Sequence, residues 1–120
     1  MKFSESIETY LKEIYRLSET NDCVRSIDVA NRLKVSKASV NRAVKKLCKE
    51  GYIDHQPYGL IFITETGTKK AQDICLRQEI ITKYLTKTLG IDNETAFAEA
   101  CKIEHVVSHK IIMMIKELYD

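Results

Sequence analysis

Apolar residues fall in stripes of helical period along most of the chain, interrupted once by a short stretch of strand period. Ile7, Tyr10, Leu11, Ile14, Tyr15 and Leu17 recur at three- and four-residue spacing. They predict a helix from about Ser4 to Glu19, with Glu5 and Glu8 suited to the positive end of its dipole. A loop through Thr20, Asn21 and Asp22 leads to an extended Cys23-Val24-Arg25. The segment SIDVANRLKV, Ser26 to Val35, carries a short stripe of Ile27, Val29, Ala30 and Leu33 behind a serine able to cap. SKASVNRAVKKLCKE, Ser36 to Glu50, starts again on a capping serine and buries Val40, Ala43, Val44, Leu47 and Cys48, with Gly51 where a helix-ending glycine belongs.

The period then changes. YIDH (Tyr52 to His55) and LIFIT (Leu60 to Thr64) flank QPYG (Gln56 to Gly59), which predicts a β-hairpin about a Pro-Gly turn. Beyond Thr64, a candidate cap, the helical period returns. A helix to about Thr88 presents Ala71, Ile74, Cys75, Ile80, Ile81, Tyr84, Leu85 and Leu89, and Gly90 ends it. A second helix starts at Asp92 or Asn93 and runs to about Val107. Ser108 restarts a third, in which Ile111, Ile112, Met114, Ile115, Leu118 and Tyr119 are apolar on more than one side. A helix this apolar is expected to pack on its neighbours and on a second copy of the chain.

Two short helices joined by a tight turn and followed by a hairpin make a winged helix-turn-helix, whose second helix enters the major groove of DNA. The fold class is therefore mainly α: a winged helix-turn-helix domain over residues 1–64, then an all-helical dimerisation domain over 65–120. Charge agrees. Lys37, Asn41, Arg42, Lys45, Lys46 and Lys49 occupy the face of Ser36 to Glu50 opposite the apolar stripe, and no acid interrupts the chain between Asp28 and Glu50. Alone, such a segment reads as a solvated lysine-rich helix; the helix before it and the hairpin after it make it a recognition helix. The candidate DNA-contacting set is Ser26, Ser36, Lys37, Ser39, Val40, Asn41, Arg42, Lys45, Lys46 and Tyr58. Its partner would be double-stranded DNA, with a palindromic site if the protein is a homodimer.

Net charge is only +2 over 120 residues, but its distribution is uneven. Met1 to Thr64 holds eleven Lys and Arg against eight Asp and Glu, whereas Glu65 to Asp120 holds eight against nine. The start, MKFSESIETY, lacks the apolar run of a signal peptide, and no stretch reaches bilayer-spanning length. A cytoplasmic protein with no membrane partner is expected. Cys23, Cys48, Cys75 and Cys101 are widely spaced, as reduced thiols would be, and Cys48 and Cys75 fall on apolar stripes.

Cys101, Glu104 and His105 stand at i, i+3 and i+4, which on a helix brings a thiol, a carboxylate and an imidazole to one flank. Such donors suit a divalent transition metal such as Mn, Fe, Co or Zn, while the plainer reading is one buried cysteine beside a surface Glu-His pair. An oxidisable thiol at Cys101 is a further possibility. An enzyme using Cys101 and His105 as nucleophile and base is not expected, since nothing resembles a nucleophile elbow or oxyanion loop. A winged helix that serves only as a protein-interaction module is countered by the unbroken basic run.

The segments ETYLKEIYRL, VRSIDVANRLKVSKASVNRAVKKLCKEGYI, LIFITETGTKKA and, above all, EACKIEHVVS resemble the diphtheria-toxin-repressor and manganese-transport-regulator family over residues 4 to 118. The resemblance implies a dimeric, metal-dependent repressor in a short form without a C-terminal SH3-like domain. It assigns Cys101, Glu104 and His105 as metal ligands. Other positions depart from the family pattern: Thr9 and Lys12 on the first helix, Gln78 and Thr82 on the long helix, Phe97 four residues before the cysteine, and Pro57-Tyr58-Gly59 without the usual arginine. Lys12 offers an ammonium that would stand in for part of the missing cation's charge, and a regulator independent of metal is the corresponding alternative.

Overall fold

The protein, represented by a computed structural model, is described over residues 3–21 and 23–119, with side chains from residue 7 onward. The expected roles of Glu5 and Asp22 lie outside the described residues. In chain order the elements are α1 (Phe3–Thr20), β1 (Val24–Arg25), α2 (Ser26–Leu33), α3 (Lys37–Lys49), β2 (Ile53–Gln56), a 3-10 turn (Pro57–Gly59), β3 (Leu60–Ile63), α4 (Glu65–Lys87), α5 (Asn93–Ile103) and α6 (His109–Glu117). They form two compact units, Met1–Gln72 and Asp73–Asp120.

In the first unit α1, α2 and α3 pack on one another and α1 also meets β1 and β3. The core is Leu11, Ile14, Val29, Val40, Val44, Leu47, Ile53 and Ile61, the residues that the two periods put on facing sides. Ion pairing adds to this: Arg32 Nε lies 2.8 Å from Glu13 Oε1, tying α2 to α1. The turn between α2 and α3 works because Lys34 adopts a left-handed conformation (φ 55°, ψ 48°), which lets the Val35 N–H return to the Ala30 carbonyl at 3.1 Å. Ser36 then caps α3, accepting the Ser39 N–H at 3.1 Å. At the other end of α3, Gly51 at φ +81° closes a Schellman motif, with Gly51 N–H on the Cys48 carbonyl and Tyr52 N–H on that of Leu47, both at 3.0 Å.

β2 and β3 form the expected hairpin, in register Ile53↔Ile63 to Gln56↔Leu60. The extended Val24–Arg25 joins its far edge, pairing antiparallel with Ile61 and Leu60, so the wing is a three-stranded sheet in the order β1-β3-β2. Two expectations change here. Ser26 does not cap α2: Arg25 is the N-cap, with its N–H on the Asp28 carboxylate at 3.2 Å, and Ser26 is the first helical residue. Ile27 is 43% exposed rather than part of the core, because a two-turn helix buries only its central Val29 and Ala30.

The start of α4 is capped by Thr64, whose Oγ1 accepts the Gly67 N–H at 3.0 Å. Its first two turns belong to the first unit, through Lys70 with Glu8 (3.8 Å) and Gln72 Nε2 donating to Tyr15 Oη (3.3 Å).

The second unit has its own core of Ile80, Ile81, Leu85, Ala96, Ala100 and Ile112, drawn from the rest of α4, α5 and α6. Asp92 caps α5 by accepting the Thr95 N–H at 3.0 Å, a bond that also lowers the Asp92 pKa. Ser108 caps α6 through the Ile111 N–H at 3.3 Å. The second helix ends at Ile103, four residues before the expected Val107; beyond it the Val106 N–H makes a tighter bond three residues back to the Ile103 carbonyl, at 3.0 Å, and shares that carbonyl with the Val107 N–H. None of the four cysteines is in a disulfide and all are half-buried, so Cys48 and Cys75 flank the core rather than fill it. Burial, and then the nearby Asp54 carboxylate, raise the Cys48 pKa.

Candidate nucleic-acid interface and metal centre

The apolar stripe of α3 faces inward and its basic face outward. Lys37, Asn41, Arg42, Lys45, Lys46 and Lys49 are all exposed. Val40 is 0% exposed and so belongs to the core, not to the DNA-contacting set; it sits on the same stripe as Val44 and Leu47. Hydrogen bonds order the helix start: Ser36 Oγ meets Ser39 Oγ at 3.0 Å, and Arg42 Nη2 donates to Ser39 Oγ at 3.3 Å. Lys46 is drawn toward Glu50 at 3.4 Å, leaving Lys45 the less engaged of the two.

Between the start of α3 and the wing lies a cleft of roughly 400 Å³, lined by Arg25, Ser26, Lys37, Asn41, His55 and Tyr58 among others. Ser26 holds its rim, with Oγ donating to the Gly59 carbonyl at 3.4 Å. Tyr58 is 93% exposed and has φ 66°, ψ 24°, a left-handed conformation that costs a non-glycine residue about 1 kcal/mol. Arg25 and His55 were not expected in this cleft. The available signal was the two-residue period of β2, which turns His55 to the same side as the buried Ile53.

In the second unit, Glu104 and His105 meet directly: His105 Nδ1 lies 3.1 Å from Glu104 Oε1, with side-chain exposures of 6% and 0%. The second carboxylate oxygen, Oε2, lies 3.1 Å from Arg77 Nη2 on α4. Cys101 is half-buried in the last turn of α5, three residues earlier. Glu104 is the C-cap residue of α5, still with helical dihedrals (φ -61°, ψ -23°), and His105 follows it, so the three candidates lie at the helix end.

The positions that depart from the family pattern have structural employment. Gln78 is buried and donates from Nε2 to the Phe97 carbonyl at 3.2 Å, joining α4 to α5. Thr82 Oγ1 donates to the Gln78 carbonyl at 2.7 Å within its own helix. Lys12 is buried on α1, unlike a solvated lysine.

Glu104 and His105 do fit a divalent ion. An oxygen and a nitrogen 3.1 Å apart match two adjacent ligands at ordinary metal distances, which subtend about 3 Å at roughly 2.1 Å each. A carboxylate with an imidazole is also the mixed hard and borderline pair that Mn, Fe, Co and Zn accept.

Comparison with known proteins supplies the context. The family profile for the iron dependent repressor N-terminal DNA binding domain matches residues 2–60, and that for the iron dependent repressor metal binding and dimerisation domain matches 64–120. An HTH-type transcriptional regulator of Methanocaldococcus jannaschii is 37% identical over 94% of this chain and 91% of its own. The HTH-type transcriptional regulator MntR of Bacillus subtilis is 32% identical over 94% of this chain and 79% of its own. Among solved structures, the manganese regulator SloR superposes with a TM-score of 0.82 at 27% identity, covering 93% of this chain. The present chain spans about half of SloR, 52% of its length. With both halves matched in order, the chain belongs to the iron-dependent repressor family, whose members are DNA-binding transcriptional regulators and not enzymes.

Proposed function

We propose that this protein is a dimeric transcriptional repressor, acting in the cytoplasm, whose grip on double-stranded DNA responds to a divalent transition metal. The observation that carries the reading is α3: a helix with Val40, Ala43, Val44 and Leu47 of its apolar stripe buried and Lys37, Asn41, Arg42 and Lys45 presented beside a wing. Phosphate neutralisation by such a face gives affinity, and base edges met by Lys37, Asn41 and Arg42 give sequence preference.

Glu104 and His105 would hold the ion, with Cys101 as a further donor. When bound, the ion would supply a positive charge that holds carboxylate and imidazole in one fixed arrangement. The manganese regulator SloR and the matched metal-binding profile support this assignment. Dimerisation is supported by the matched profile and by Val106, Ile111, Met114 and Leu118, which stand exposed in the second unit, Leu118 at 66%.

The test is affinity for a selected operator in chelator, then with Mn(II), Fe(II), Co(II) or Zn(II) added. The expected result is a rise of tenfold or more, about 1.4 kcal/mol of coupling, with one of these ions. Affinity that stays fixed from chelator to saturating metal would reject the metal response. Absence of salt-sensitive duplex binding would reject the repressor itself.

The wing offers an independent check. Tyr58→Gly should raise stability by up to about 1 kcal/mol by relieving the left-handed backbone, while weakening operator binding severalfold. Denaturant melts and binding isotherms on the same variant read the two effects. An unchanged isotherm would remove Tyr58 from the interface.

A further inference from the structure

Glu104 has two carboxylate oxygens, and the second unit treats them differently. Oε1 faces His105 Nδ1 at 3.1 Å, while Oε2 is 3.1 Å from Arg77 Nη2. Arg77 in turn has Nη1 3.8 Å from Asp73 Oδ2, one helical turn earlier on α4. Asp73, Arg77, Glu104 and His105 thus form one line of alternating charge and hydrogen-bonding groups that runs inward from a half-exposed aspartate to a buried carboxylate.

We propose that Arg77 is a positioning residue for the metal centre: its guanidinium fixes Oε2, so that Oε1 and the His105 imidazole are kept together as an ion-facing pair. This rests on the metal-responsive reading above. The physical need is clear from the side chain involved. The terminal torsion of a glutamate is broad, and a carboxylate as buried as Glu104 needs fixed polar partners to orient it. A guanidinium is always charged and presents its N–H groups in a rigid fork, so it supplies both the counter-charge and the orientation. Asp73 performs the same service for Arg77 from the rim.

A second effect opposes the first, because a guanidinium near a cation site repels the cation. Two features limit it. Arg77 engages the oxygen that faces away from His105, and the Asp73 carboxylate offsets part of its charge. Outer residues that orient metal ligands are commonly worth ten- to a hundredfold in affinity, and the geometry assigns Arg77 to that class.

The experiment is Co(II) titration of the full chain, followed by the visible absorption of the bound ion and by competition with a chelator of known affinity. Wild type is compared with Arg77→Gln, Arg77→Lys and Asp73→Asn, and melting of each metal-free variant is measured alongside. Arg77→Gln should weaken Co(II) binding at least tenfold and change the shape of the absorption band. Arg77→Lys, which keeps the charge but not the fork, should recover part of the loss. Asp73→Asn, at a half-exposed position, should fold normally and lose a few-fold.

A purely structural Arg77 would shift the melting temperature and leave affinity and spectrum alone, which overturns the proposal. Tighter Co(II) binding by Arg77→Gln overturns it too, since repulsion would then outweigh orientation. Should Arg77→Gln fail to fold, unchanged affinity in both Arg77→Lys and Asp73→Asn is the overturning result. Wild type that takes up no Co(II) removes the metal-responsive reading itself, and this proposal with it.

Discussion

Replacing Lys37, Arg42 and Lys45 together by alanine should lower duplex affinity by roughly two to three orders of magnitude near ~0.1 M salt. The slope of log affinity against log salt should become shallower by close to ~3 for each bound chain, because each neutralised phosphate contributes about 0.9 to it. These three side chains leave α3 on its exposed face, opposite the buried Val40, Val44 and Leu47. Their removal should therefore leave stability within about 0.5 kcal/mol of the parent. That separation of effects is what distinguishes an interface from a scaffold.

The single changes should rank in an order the structure sets. Arg42→Ala loses a guanidinium steadied by Ser39, and Lys45→Ala an ammonium with open approach to the backbone of a duplex. Lys46→Ala should cost less, since Lys46 already leans on Glu50 at 3.4 Å. Asn41→Ala should act on sequence preference more than on the salt slope, because an amide reads a base edge and releases no counterion. A triple variant that binds with the parent's slope would place the DNA elsewhere on the molecule.

How far the sequence reaches can be judged element by element. The helix-turn-helix and the wing were legible because three local signals coincide there: capping at Ser36, a stop at Gly51, and a switch from helical to strand period across Pro57 and Gly59. Val24–Arg25 was readable as extended but not as a third strand, since two residues carry no period and their partners lie more than thirty positions away. Val40 shows the hazard of taking a whole helix segment as an interface; its place on the stripe already implied burial. The end of α5 at Ile103 left no trace, because Glu104 to Val107 contains neither glycine nor proline and would continue a helix equally well. Arg77 was missed for a similar reason. Family resemblance points to its neighbour Gln78, whereas the Arg77 contact to Glu104 crosses 27 positions and has no local signature.

Gly67→Ala should unfold or severely loosen the first unit, by about 3 kcal/mol or more. Sequence reasoning gives the opposite sign, for a glycine in the first turn of a 23-residue helix is a weak helix former, and alanine normally adds close to 1 kcal/mol. Packing reverses this. A Cβ at Gly67 would lie 2.0 Å from the Tyr52 carbonyl oxygen, 2.8 Å from its carbon and 3.0 Å from Ile63 Cγ1. The carbonyl cannot step aside, because it accepts the Thr64 N–H at 3.0 Å and Thr64 Oγ1 lies within 3.0 Å of it as well. Thr64 Oγ1 in turn caps α4 through the Gly67 N–H. To admit one methyl group the helix would have to lift off the wing and lose its cap in the same movement. Thr68→Ala, one residue along, gives up only the side-chain bond to the Thr64 carbonyl and should cost about 1 kcal/mol or less. Urea melts of the two variants would settle the sign: a Gly67→Ala protein as stable as the parent would mean that α4 does not seat against Tyr52 as described.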